Sequence, residues 1–176
     1  DCIAFQLALY TIHTHKEKNS TMDERKDKWS VGEWMTSNPM TIGSDISVRS
    51  AFFSMKVEGI RHLLVVSEDK LLGIISDRDL RRPDLTDEPD GWDDFYRLDD
   101  NYEVCDIMSM DVVTVRPNDT LEKALKLLTN NKFSALPVVD KKDKPIGILT
   151  SHDIFRAFQA SLDLMGDDLR KKTGIA

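Results

Sequence analysis

Apolar and polar positions follow the same order twice along this chain, and each pass predicts the same succession of elements. In the first pass Met40-Thr41-Ile42 reads as a short strand. Val48, Ala51, Phe52 and Met55 then recur at three- and four-residue spacing, one face of an amphipathic helix. Ser44 or Asp45 is placed to cap that helix, and Gly59 to stop it, because glycine accepts a left-handed backbone without a Cβ clash. Ile60 to Val66 and Leu71 to Ile75 flank the polar turn Ser67-Glu68-Asp69-Lys70, as a β-hairpin does. A helix opening at Asp77 stops at Pro83, which cannot continue it.

The second pass restates this. Val113-Thr114-Val115 matches Met40-Thr41-Ile42 at an offset of 73. Asp119 begins a capping box with Glu122, and Leu121, Ala124, Leu125 and Leu128 form the buried face. Asn130 or Asn131 takes the place of the glycine stop. Phe133 to Val139 matches Ile60 to Val66; the next turn is one residue longer, so the offset is 74 at Gly147. An insertion in a turn leaves the strand alternation intact, as a true duplication should. Ile154, Phe155, Ala157, Phe158, Leu162 and Met165 predict a longer final helix ended by Gly166. Each pass has a lead-in, Val31-Gly32-Glu33-Trp34-Met35-Thr36 and Val104-Cys105-Asp106-Ile107-Met108-Ser109.

Both passes end in one heptad, Gly73-Ile74-Ile75-Ser76-Asp77-Arg78-Asp79 and Gly147-Ile148-Leu149-Thr150-Ser151-His152-Asp153. An apolar strand running straight into a helix leaves helix N–H groups open to an anion or a sugar. One such heptad is weak; two at matching places in a repeat are specific. A purely structural reading pairs Ser76 with Asp79, and Thr150 with Asp153, as caps alone.

Charge changes the picture between the passes. Residues 83–103 hold nine acids and one base, a net −8 in a chain of 176 residues that carries −7, so the rest is about neutral. A phosphate pocket there meets no repulsive bulk charge, and no basic block marks a nucleic-acid face. Trp92, Phe95, Tyr96 and Tyr102 are interleaved with the acids, which reads as a solvated linker anchored by aromatic contacts. Asp90, Asp93 and Asp94 lack the ligand spacing and glycine of a calcium loop. No apolar run approaches the roughly 20 residues of a membrane-spanning helix. Cys2 and Cys105 form neither a disulfide framework nor a metal cluster and read as free thiols in a reducing cytosol. Within residues 1–21, Cys2 to Tyr10 is apolar but short and has no basic residue before it, unlike a signal peptide. His13-Thr14-His15 could chelate a metal but has no Cys nearby and no recognisable ligand spacing, so no metal is expected. Lys16 to Lys28 is of mixed charge. With Asp1 rather than Met first, the chain reads as a piece or processed form, with Met22 a candidate natural start.

Trp34-Met35-Thr36, Asp106-Ile107-Met108-Ser109, Ser134-Ala135-Leu136-Pro137-Val138-Val139 and the two Gly-x-x-Ser/Thr-x-x-Asp heptads, in this order, resemble the CBS domain. Two in tandem resemble a Bateman module over about residues 31–160. The resemblance implies an α+β fold: two β-α-β-β-α repeats with pseudo-twofold symmetry, sheets packed together and helices outside. The divisions expected are an N-terminal extension 1–30, a first repeat 31–83, an acidic linker 84–103, a second repeat 104–165 and a tail 166–176.

The resemblance also implies two clefts built across the repeats, binding AMP, ADP, ATP or S-adenosylmethionine. One site would combine Thr41, Arg61 and His62 with Thr150, His152 and Asp153. The other would combine Thr114, Ser134 and Ala135 with Ser76, Arg78 and Asp79. An ionised Asp can accept two adjacent ribose hydroxyls, hydroxyls and helix N–H groups can hold sugar or phosphate oxygens, and Arg or His can meet phosphate. Adenine would lie against aliphatic positions such as Ile60 or beside Phe133. The first repeat departs from the pattern at Leu64 and His62, where its twin has Pro137 and Ala135.

No nucleophile with a nearby base is evident, so the expectation is a non-catalytic, cytoplasmic ligand sensor needing no cofactor beyond its adenosyl ligand. A homodimer is implied, with Asp77–Arg82 and Ser151–Met165 meeting across the interface, and the output would reach a separate effector protein. No nucleic acid, membrane or metal is expected. The alternative is a structural dimerisation module whose clefts hold no physiological nucleotide.

Overall fold

The structure, a computed structural model, describes residues 28–80 and 102–173, with side chains up to residue 165. The His13/His15 segment, Cys2, Met22, Arg82, Pro83 and most of the acidic stretch lie outside the described residues. In chain order the elements are α1 (Val31–Trp34), β1 (Thr36–Ser37), β2 (Thr41–Ile42), α2 (Val48–Glu58), β3 (His62–Ser67) and β4 (Lys70–Ser76). A 3₁₀ turn (Val104–Asp106), α3 (Leu121–Asn131), β5 (Ala135–Val139), β6 (Pro145–Thr150) and α4 (Ser151–Thr173) follow. The fold is α+β, with two three-stranded sheets ordered β2-β3-β4 and β1-β6-β5.

Both predicted hairpins form. Glu68 and Asp69 turn the first with positive φ angles of 48° and 64°, the left-handed pair whose twist suits adjoining strands. The longer second turn is held by Asp140, whose carboxylate accepts from the Lys142 and Lys144 N–H groups. Each hairpin slips register once, between Val65 and Val66 and between Val138 and Val139, so the duplication extends to the same β-bulge.

The helices begin and end at other residues than the sequence suggests. Ser47, not Ser44 or Asp45, caps α2, its hydroxyl accepting from the Ser50 N–H. Thr120, not Asp119, caps α3 by accepting from the Lys123 N–H, and Asp119 instead accepts from the Arg116 N–H. Gly59 ends α2 at φ 64° as expected, but its counterpart is Lys132 at φ 57°, not Asn130 or Asn131. A left-handed non-glycine residue is strained. Lys132→Gly is therefore expected to raise stability by about 0.5–1 kcal/mol and Gly59→Ala to lower it by about 1 kcal/mol, read from urea midpoints. Residues 77–80 form a turn where a helix was expected. Gly166 does not end the last helix, which continues to Thr173. The Val113–Val115 strand contracts to a single bridge, Val115 to Val138. In the first repeat the Leu64 N–H donates to the Met40 carbonyl at 3.2 Å; its counterpart Pro137 has no N–H to donate.

The lead-in segments change places. Val31 is fully buried in the core around β5, β6 and α3, and Val104 in the core around β3, β4 and α2. The hydrogen bonds of the exchange match in pairs: Val31 N–H to the Asp119 carbonyl and Val104 N–H to that of Ile46, then Leu121 N–H to the Trp29 carbonyl and Val48 N–H to that of Tyr102. Thr36 and Ser37 pair antiparallel with Ile148 and Gly147, while Ser109 bridges Ile74. Each packed half is thus built from residues of both repeats.

Leu63, Val65 and Ile75 fill one core with Val48, Phe52 and Met55, and Leu136, Val138 and Leu149 fill the other with Leu121, Ala124 and Leu128. Leu64 and Pro137, on the opposite strand faces, are buried as well. The halves are tied by His62 to Ser134, by the Leu71 N–H to the Asp143 carbonyl, and by an Asp69–Lys144 ion pair.

Candidate functional site

Each heptad folds back on itself where its strand ends. Asp79 Oδ2 accepts from both the N–H and the hydroxyl of Ser76 at 2.7 Å. Asp153 Oδ2 accepts from the Thr150 N–H at 2.8 Å and its hydroxyl at 2.7 Å. One oxygen of each carboxylate thus satisfies its own heptad, as the purely structural reading requires. The other oxygens differ. Asp153 Oδ1 accepts from Arg156 Nη1 at 3.1 Å, and the residue is only 3% exposed. Asp79 is half-buried, and its Oδ1 has no partner among the described residues. The sequence did carry a signal for Arg156, in the Asp-x-x-Arg spacing that places it one helical turn on.

The predicted residues gather around the strand ends. His62 stands opposite Ser76 in the β3–β4 ladder, and Ala135 opposite Thr150 in β5–β6. The Asp77 N–H donates to the Arg61 carbonyl, and the Ser151 N–H to the Ser134 carbonyl. His62 Nε2 and Ser134 Oγ share a hydrogen bond of 2.8 Å, joining residues that the sequence assigned to different clefts. Arg61, Arg78 and His152 are exposed; Ala135 is buried. Thr41 is exposed and pairs with Leu64; Thr114 is half-buried beside the Val115 bridge. Among the described residues no hydrogen bond joins Thr41 to Thr150 or Asp153, or Thr114 to Ser76 or Asp79. Ile60 packs against the first core, and Phe133 is exposed. No group of three or more metal-ligating side chains, and no helix long and apolar enough to cross a membrane, occurs among the described residues.

Burial lowers the His62 pKa, opposed by Asp77 and Asp79 and reinforced by Arg61 and Arg78. A histidine depressed in the folded state favours proton uptake by the unfolded chain. Its contribution to stability is therefore present above about pH 6.5, where a solvated imidazole titrates, and is lost as pH falls through the folded value. Unfolding at pH 7.5 and pH 5 is expected to show a loss in the wild type that His62→Gln reduces. An equal loss in both would remove His62 as its cause.

Two like α+β halves with exchanged lead-ins and a hydroxyl–carboxylate pair at the end of each hairpin define a tandem repeat module. The CBS domain family matches residues 31–84 and 104–160, and the chain belongs to it as a tandem pair. It is 35% identical over 130 residues to a homoserine O-acetyltransferase of Methanohalobium evestigatum, covering 73% of this chain and 24% of that protein. The chain spans about a quarter of the length of the curated relatives it matches first. Among solved structures it resembles CBSX2 in complex with AMP, at 30% identity and a TM-score of 0.62, covering 75% of this chain and 97% of that one. It also resembles the CBS domain pair of protein MJ0100 in complex with 5′-methylthioadenosine and S-adenosyl-L-methionine, at 28% identity and a TM-score of 0.61, covering 73% and 98%.

Proposed function

We propose that this module is a regulatory sensor, without catalysis of its own, that binds an adenosine-containing ligand in the clefts between repeats 31–83 and 104–165. AMP, ADP, ATP and S-adenosylmethionine are the candidates. The observation that carries this reading is the duplicated hydroxyl–carboxylate pair at Ser76–Asp79 and Thr150–Asp153. Its support is that two neighbours of the same pair architecture hold adenosyl ligands. Thr41, Arg61, His62 and His152 would complete the Asp153 cleft; Thr114, Ser134, Ala135 and Arg78 the Asp79 cleft. Titration calorimetry with each candidate, alongside thermal melting, tests the proposal. Heat and a raised melting temperature with at least one ligand are expected; neither with any of them would overturn it.

A second reading has its own observation. Both carboxylates already have hydrogen-bond partners within the chain, so the fold does not need a ligand to satisfy them. On that reading the chain is a structural dimerisation module, and the calorimetric test above separates the two. In either reading we propose a homodimer, supported by the exposed stripe Phe155, Phe158, Leu162 and Met165 on α4. Light scattering is expected to show a dimer at micromolar concentration. Cytoplasmic location and a separate effector protein complete the proposal.

A further inference from the structure

The buried carboxylate of Asp153 has little acceptor capacity left. A carboxylate offers about four lone-pair positions. Three are taken, two by the Thr150 N–H and hydroxyl and one by Arg156 Nη1. Two adjacent ribose hydroxyls need two positions, so one existing donor must leave. The Thr150 bonds are local and half-buried, whereas the Arg156 side chain is 55% exposed and can exchange its partner for water at little cost. Arg156 is the donor to be displaced.

That guanidinium has a second neighbour. Its central carbon lies 6.0 Å from the centroid of the Trp34 ring, within range of a cation–π contact. Trp34 stacks on Trp29 with centroids 5.8 Å apart and planes 5° from parallel, and its Nε1 donates to the Lys28 carbonyl. Trp34 belongs to the exchanged lead-in and packs against the core that α4 closes. A side chain that lets go of Asp153 therefore changes its position over a ring belonging to the other repeat.

Building on the adenosyl-sensor reading above, we propose that Arg156 is a positioning residue that reports occupancy of the Asp153 cleft to the Trp29–Trp34 stack. Ligand hydroxyls displace the guanidinium from Asp153 Oδ1, and its altered contact with Trp34 carries the signal out of the cleft.

The test uses the Trp92→Phe chain, which leaves Trp29 and Trp34 as its two tryptophans. AMP, ADP, ATP and S-adenosylmethionine are titrated by calorimetry, and tryptophan emission is read on the same samples. Binding is expected to shift the emission. Adding Arg156→Ala should leave affinity within about fivefold, the worth of a half-exposed ion pair, but reduce the shift below roughly a third. Arg156→Lys, which keeps a cation and loses the planar face, should also lose most of it. Heat without an emission change, or a full-sized change in either variant, overturns the coupling alone. Absence of heat with all four ligands overturns the sensor reading and the coupling with it.

Discussion

Gly147→Val is expected to lower the free energy of unfolding by about 2–3 kcal/mol, the scale on which an overfilled core strains. A Cβ at Gly147 would fall onto the Met35 side chain and 3.2 Å from the Thr36 carbonyl oxygen. The methionine can swing aside. The carbonyl cannot, because Thr36 and Ser37 are held in the ladder opposite Ile148 and Gly147. The other half repeats this: a Cβ at Gly73 would sit 2.8 Å from the Met108 sulfur and 3.0 Å from the Ser109 carbonyl oxygen, which accepts from the Ile74 N–H. Strain at either glycine falls on a lead-in, and each lead-in carries a fully buried valine, Val31 or Val104, into the other half. Loosening one returns apolar surface to water, worth roughly 1.5–3 kcal/mol for a fully buried side chain. Urea unfolding of Gly147→Val and Gly73→Val is the check. Wild-type stability in both would mean that the crossing segments do not press on the hairpins.

Asp153→Ala is expected to have two separable effects. It removes the acceptor for the Thr150 N–H and hydroxyl at the start of α4, costing about 2 kcal/mol of stability. It also removes the charged acceptor offered to ribose, weakening an adenosyl ligand by about 1.5–3 kcal/mol, roughly 10- to 150-fold. Asp153→Asn separates them, since its amide oxygen can still accept from Thr150 while the charge is gone. Asn should recover most of the stability and little of the affinity. Asp79→Ala should cost less stability, because Asp79 is less buried than Asp153. Unfolding curves and calorimetry on the same preparations read both quantities. A destabilised Asp153→Ala with unchanged affinity would leave the carboxylate as a cap only.

Much of this was legible because it is local. The hairpins, the longer second turn, the Gly59 stop and the Ser76–Asp79 and Thr150–Asp153 pairs depend on residues within a few positions of one another. The caps were less legible, since Ser44, Asp45 and Ser47, or Asp119 and Thr120, are all competent acceptors. Only the direction in which the chain enters the helix selects Ser47 and Thr120. The loss of a strand at Val113–Val115 is written in Pro137, but only once Pro137 is known to lie beside this segment, where its carbonyl accepts from the Val115 N–H and it has no N–H to return.

The sequence by itself determined that there are two copies, where each carboxylate meets its own hydroxyl, and most of the buried positions, though Leu125, expected on the buried face of α3, is exposed because it lies at the edge of that face. It did not determine against which copy a buried residue packs. Val31 and Val104 are apolar in the same context, and either core would accept either one. The course of the chain between the halves decides that choice, and with it why Gly73 and Gly147 have no side chain. The same holds for His62 on Ser134 and for Arg156 between Asp153 and Trp34. Periodicity ranks positions by burial; partners distant in the chain are chosen only when the halves close on one another.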